Sequence, residues 1–255
     1  MISEEPYRWL EAIRNRREYI EDQMQGGLPV VAINGDPGIL YLTTRATTPK
    51  IFEIYDHLSL GSLGHPADIE KVRQAAIDAA HLEGFTRSQH DVTARRLVNY
   101  NLGPALKNAF EQIFAAPLMF RGILCELADQ PANDAAWVID YDGTYQSPRP
   151  EEFHRGLIVA GRKRSQQNWE QLKDKKGELL HDWPAMALSA LRIAAWIRLL
   201  EKSEQHAEWN DTPEMLPDLQ KIFPEGLEFA VLDRKLVATS QAYRTPTSAE
   251  LGLGG

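Results

Sequence analysis

Along this chain of 255 residues, β-forming runs and pairs of helical segments alternate in blocks: strands, two helices, strands, two helices, strands. That order constrains the fold more than any single motif. Helices that come in pairs between blocks of antiparallel strands can cover two sheets, but they cannot build a βαβ alternation. The β-rich runs 29–33 and 39–43 flank Asn34-Gly35-Asp36-Pro37-Gly38, which reads as a hairpin turn. A second strand pair is expected over 51–63, where Ile51, Tyr55 and Leu58 precede Gly61 and Gly64. The spacing of Ile69, Val72, Ala76 and Ala79 predicts a helix over 66–83, stopped by Gly84. A second helix is expected to start at Asp91 as N-cap and run toward 116, kinked or divided by Pro104. Strands return at 119–128, 136–141 and 156–161, and Asp142-Gly143 supplies a turn. Helices resume at 165–175 and 183–204, and the polar, proline-bearing stretch 205–224 reads as a loop or insertion. The last strands are expected at 227–232 and 236–239, ahead of a loose glycine-rich end. The fold class is α+β.

Charge and cysteine content narrow the function. Thirty-six acidic against 28 basic residues leave a net charge of −8, which argues against nucleic acid or an anionic membrane as partner. The basic spots at 14–17 and 162–164 are too short to reverse that. A single cysteine, Cys125, excludes an intrachain disulfide framework and a cysteine-rich zinc site, and fits a reducing, cytoplasmic home. The opening Met-Ile-Ser-Glu-Glu lacks the basic start and apolar core of a signal peptide. The apolar stretch 185–200 is broken by Ser189, Arg192 and Arg198, which makes it too polar for a membrane helix.

Familiar catalytic patterns are missing. There is no GxGxxG, P-loop, HExxH or GxSxG, and no cofactor or metal site is expected. The seven histidines are scattered without an acidic or sulfur ligand at useful spacing, and read as surface or structural residues. Cys125 lies in an apolar strand pattern and reads as a buried, inert thiol. Thr43, Thr44, Thr47 and Thr48 read as β-formers at a strand end. Lys50 stands at a strand entry with Gly61 and Gly64 downstream. A lysine beside backbone N–H groups freed by glycine can receive a carboxylate. On spacing alone, a solvated strand-end lysine is the commoner outcome.

Six segments, in order, resemble the α-type subunits of the 20S proteasome in their actinobacterial form. They are Arg14-Asn-Arg-Arg-Glu18 ahead of Val30-Val-Ala-Ile33, Lys50-Ile-Phe-Glu-Ile-Tyr-Asp56, the run from Gly84 to Arg96, Leu124-Cys-Glu-Leu127, Ile139-Asp-Tyr-Asp-Gly143 and Leu227-Glu-Phe-Ala-Val-Leu-Asp233. The stretches 166–176 and 205–224 depart from the family pattern. The resemblance implies the four-layer αββα sandwich of N-terminal nucleophile hydrolases, two antiparallel sheets between helix layers.

Catalytic β-type subunits of that family expose a threonine at the start of the first strand, whose own amine serves as base. Here Leu28-Pro29 occupies that point, the acidic residue expected after the second strand is replaced around Thr44, and Gly161-Arg162-Lys163 lacks the expected serine. Only Lys50 matches. The resemblance therefore implies a non-catalytic subunit that forms heptameric outer rings of its own copies, stacks on β subunits and gates entry of unfolded protein. It also implies that Lys50, with Gly27, Gly64 and His65, lines a pocket between neighbours for the C-terminal carboxylate of a ring ATPase activator; His65 stands where the family usually has an apolar residue. Met1, Ile2, Ser3, Glu4, Glu5, Pro6 and Tyr7 are the expected gate. Residues 1–25 are expected to form the gate segment and helix, 26–240 the αββα domain, and 241–255 a flexible tail. Two other readings are a self-processing hydrolase using Thr43 or Thr44, and a scaffold that kept the fold without a peptidase partner.

Overall fold

A computed structural model describes residues 5–171, 178–202, 219–239 and 241–253. Ten strands among them form two five-stranded antiparallel sheets. The first hairpin joins β1 (Val30–Gly35) to β2 (Gly38–Thr44) across the Asp36-Pro37 turn, with Gly35 opposite Gly38. Gly38 holds φ of +146°, and a side chain there would strike the Leu232 carbonyl, so only glycine closes this turn. β1 continues to β8 (Leu157–Val159), and β2 to β9 (Leu227–Asp233) and β10 (Tyr243–Arg244). The second sheet runs β3 (Ile51–Tyr55), β4 (Leu58–Gly64), β5 (Phe120–Glu126), β6 (Ala135–Ile139) and β7 (Tyr145–Gln146).

Three apolar layers hold the sandwich together, and together they make the expected αββα arrangement. Between the sheets lie Val30, Ala32, Tyr41, Ile123, Cys125, Val159 and Leu232. The outer face of the first sheet (Val31, Ile33, Leu40, Val231) packs on α7 (Trp183–Lys202) and on Trp169 of α6 (Lys163–Gln171). The outer face of the second (Leu58, Leu60, Leu124) packs on α2 (Pro66–Thr86) and on the helical run from α3 (Ala94–Arg96) through α4 (Gly103–Glu111). Strands buried on both faces read as unbroken apolar runs, which is why β1, β2 and β5 were visible in the sequence.

The second helix differs from its expected form. Thr93, not Asp91, is the cap: its hydroxyl accepts from the Arg96 N–H, while Asp91 ends a separate 3₁₀ turn. A π-helical stretch, Leu97–Leu102, lies just before Pro104, and the Gly103 N–H bonds the Val98 carbonyl five residues back. Proline cannot donate, and this widened turn is how the helix absorbs it. Residues 236–239 do not form a strand but belong to a 3₁₀ segment, Arg234–Thr239. The last strand comes later, within the segment after 241. Tyr243 and Arg244 pair with Leu232 and Val231, Ala242 and Leu251 are buried, and Arg244 binds Asp233 at 2.8 Å. The short helix α5 (Pro150–Arg155), β7 and the turn α8 (Leu219–Ile222) were not foreseen. The gate residues Met1, Ile2, Ser3 and Glu4, and most of the 205–224 stretch, lie outside the described residues.

Candidate functional site

The strand ends at Val30, Thr44, Ile51, Gly64, Phe120 and Val159 all open at one end of the sandwich. This mouth between the sheets is closed by α1 (Glu5–Met24), whose Ile20 and Met24 insert into the inter-sheet core. A buried arginine fixes the helix there. Arg121, at the start of β5 and 1 % exposed, donates to Glu21 of α1 at 2.5 Å and to Asp140 at 3.0 Å. Its remaining N–H groups reach the carbonyls of Ala160 and Gly161 at 3.1 and 3.2 Å, and the Tyr141 hydroxyl donates to Glu21 at 2.8 Å. The two carboxylates raise the Arg121 pKa against the opposing cost of burial. Arg16 adds bonds to the carbonyls of Ala109 and Ala115 at 3.0 and 2.8 Å, and Arg17 pairs with Asp142. A charged residue inside the apolar run Phe120-Arg121-Gly122-Ile123 was the sequence signal for this clamp.

Among the described residues, no hydroxyl or thiol side chain stands at the start of β1. Leu28 and Pro29 lead into β1, and the Thr43 hydroxyl donates to the Pro29 carbonyl at 2.9 Å in a buried position. Thr44 is likewise buried. Cys125 is buried deeper between the sheets beside Tyr41 and Ser59, and burial pushes its thiol far above the usual range. Among the described residues, no group of three His, Cys, Asp or Glu could hold a metal ion. No helix among them is long and apolar enough to cross a membrane.

The four expected pocket residues lie toward the same end of the sandwich, at element ends. The Ser62 N–H bonds the Lys50 carbonyl at 2.8 Å, so Lys50 lies beside the end of β4. Gly64 follows with φ of +145°, where a side chain would collide with the Met119 carbonyl. Gly27 caps the end of α1 through a 2.8 Å bond to Met24, and a Cβ on it would touch Leu63 at 3.0 Å. His65, whose N–H bonds Met119, turns its Nδ1 to the Ala67 N–H at 3.3 Å as the N-cap of α2. A capping histidine explains a polar residue at a position where the resemblance led us to expect an apolar one.

Lys50 is half-buried. Burial lowers its pKa to about 8, with Glu228 pulling it up and Arg198 pushing it down. Glu228, on the inward face of β9, receives the N–H groups of Lys50 and Ile51 at 3.1 and 3.2 Å. It fixes the entry of β3 and thereby the lysine. Sequence reading missed Glu228, although a lone acid at an inward position before Ala230 and Leu232 marked it.

No protein-family model matches the chain. Its similarities to individual proteins are consistent, however. It is 27 % identical over 229 residues to a proteasome subunit alpha of Acidothermus cellulolyticus, covering 88 % of this chain and 86 % of that one. The corresponding protein of Streptomyces coelicolor is also 27 % identical over 229 residues, across 88 % and 79 % of the two chains. That of Actinosynnema mirum reaches 31 % over 137 residues, about half of each. The chain is similar to actinobacterial proteasome alpha subunits. The similarity extends over most of its length, and the relatives share a name rather than a scatter of functions.

Proposed function

We propose that this chain is a non-catalytic alpha-type subunit of a bacterial 20S proteasome, assembling into outer rings of its own copies on rings of threonine-peptidase β subunits. The observation that carries this reading is the occupied mouth. Where a catalytic relative would expose a terminal threonine, this chain has Leu28-Pro29 beneath a helix clamped by Arg121 and Glu21. A nucleophile that must free its own amine by cleavage has no counterpart there. The alternative of self-processing at Thr43 is opposed by a hydroxyl that is already bonded to Pro29 in a buried position.

In the assembled particle, the segment before α1 gates entry, and the corner at Lys50, Gly27, Gly64 and His65 receives the C-terminal carboxylate of a ring ATPase activator. A half-buried ammonium beside tight glycine backbone suits a single terminal carboxylate. The test is intact mass and reactivity. Co-expressed with a β-type partner, the chain should keep its full 28.8 kDa mass and take no adduct from a threonine-directed inhibitor, while the partner is labelled. A shortened or labelled chain would overturn the reading.

A further inference from the structure

Lys50 enters β3 behind five exposed residues, Arg45 to Pro49, and Pro49 brings no N–H of its own. The backbone of Lys50 is instead held from both sheets. Within its own sheet, the Lys50 carbonyl accepts from the Ser62 N–H at 2.8 Å and from the Ser62 hydroxyl at 3.1 Å. From the other sheet, one carboxylate oxygen of Glu228 accepts both the Lys50 and the Ile51 N–H, at 3.1 and 3.2 Å. The Tyr243 hydroxyl, on β10, donates to the Ile51 carbonyl at 3.1 Å. β3 is an edge strand, so these two side chains of the opposite sheet stand in for the neighbouring strand it lacks.

The same geometry sets the charge. Among the described residues the Lys50 ammonium makes no ion pair, yet Glu228 lies near enough to favour the charged form against burial and against Arg198 on α7. Arg198 is itself held by Glu225 at 3.1 Å. Glu228 and Glu53 both act on Tyr243, which burial first of all pushes up to about 12, so its hydroxyl stays a donor through the neutral range.

We propose that Glu228 and Tyr243 are positioning residues for Lys50: together they bracket the entry of β3 across the two sheets, and Glu228 also supplies the negative charge that balances the ammonium while no tail is bound. The proposal rests on the docking reading above and deepens it. The two duties of Glu228 use different properties. Holding the strand takes an acceptor oxygen at the right reach, whereas balancing the lysine takes a charge. Substitution separates them.

The test is the pH profile of affinity for a labelled peptide ending in a free carboxylate, taken on the full chain assembled with a β-type partner. Glu228→Gln keeps an oxygen for the two N–H groups and loses the charge. Its binding should equal or exceed wild type well below neutral pH, because an anion facing the tail is gone. It should then fall away at lower pH than wild type, by about tenfold for each unit that the lysine's titration moves. Glu228→Asp keeps the charge and loses reach, and Tyr243→Phe loses only the hydroxyl. Both should weaken binding about fivefold at every pH, the worth of one ordinary hydrogen bond, with the fall where wild type has it. Acylation of Lys50 by an amine-directed reagent, followed by peptide mass spectrometry, reads the lysine without any tail. Half-maximal reactivity is expected near about 8 in wild type and lower in Glu228→Gln. The same Lys50 titration in both would overturn the charge role, and full affinity in the Asp and Phe variants would overturn the bracket; these two carry the test if the Gln variant does not fold. A lysine that shifts as expected in a particle that binds no tail would sink the docking reading and leave the bracket standing.

Discussion

Lys50 combines a position legible in the sequence with an environment that was not. Its place at the entry to β3, near two glycines, follows from the chain order, but its burial and its tie to Glu228 arise from a strand 178 residues away. A charge-assisted bond to a buried carboxylate is worth roughly 1.5–3 kcal/mol. Lys50→Ala should therefore weaken docking of an activator tail by about ten- to a hundredfold, with basal peptide hydrolysis unchanged. Full activator stimulation in the mutant particle would refute the docking role, and loss of assembly would make the role structural. The low pKa adds a pH signature. Only the ammonium form pairs with a carboxylate, so tail affinity should hold near neutral pH and fall as pH rises through about 8. The alanine variant should lack that fall in a binding titration with a labelled peptide ending in a free carboxylate. Stability moves the other way. Between about 8 and 10.5 the unfolded lysine holds a proton that the folded one has lost, so folding gains as pH rises across this window.

At the scale of elements, the clamp on α1 governs what the mouth can do. Removing the guanidinium would strand Glu21 and Asp140 and leave the Ala160 and Gly161 carbonyls without their donor. Breaking a buried ion network from one side costs about 3–5 kcal/mol, so Arg121→Ala should lower the urea midpoint sharply. Arg121→Lys keeps the charge but cannot span two carboxylates and two carbonyls, and should recover only part of the loss. Hydrogen exchange of α1 amides should rise in both variants; unchanged protection would show that Ile20 and Met24 hold the helix without the clamp. The elements themselves were read with uneven success. Long strands buried on both faces and helices with a clear apolar stripe left a period to follow, whereas β7 and β10, of two residues each, have none. The placement of β10 is decided by its partner Leu232 and by the Arg244–Asp233 pair.

For the whole molecule, the start of α1 is one place where large apolar side chains are left exposed. Trp9 and Leu10, in the second turn of α1, are 48 % and 64 % exposed, and α1 has already begun at Glu5. The expected gate residues Glu5, Pro6 and Tyr7 thus belong to the helix backbone, which leaves a shorter segment ahead of it. Deleting residues 1–7 should raise peptide hydrolysis by the assembled particle while ring mass stays constant. An unchanged rate with intact assembly would place the control of entry elsewhere.

What the chain determines by itself is the order of its layers and the absence of a threonine at the start of the first strand. Both are local: apolar runs bounded by turn residues specify strands, and Leu28-Pro29 cannot supply a terminal threonine whatever surrounds it. The resemblance to a family was also carried by short contiguous segments. Tertiary structure alone decided how the mouth is closed and how Lys50 is charged. Arg121 meets Glu21 across 100 residues, and Glu228 meets Lys50 across 178. Desolvation and ion pairing depend on what the fold brings within a few ångströms, and no periodicity along the chain records that distance.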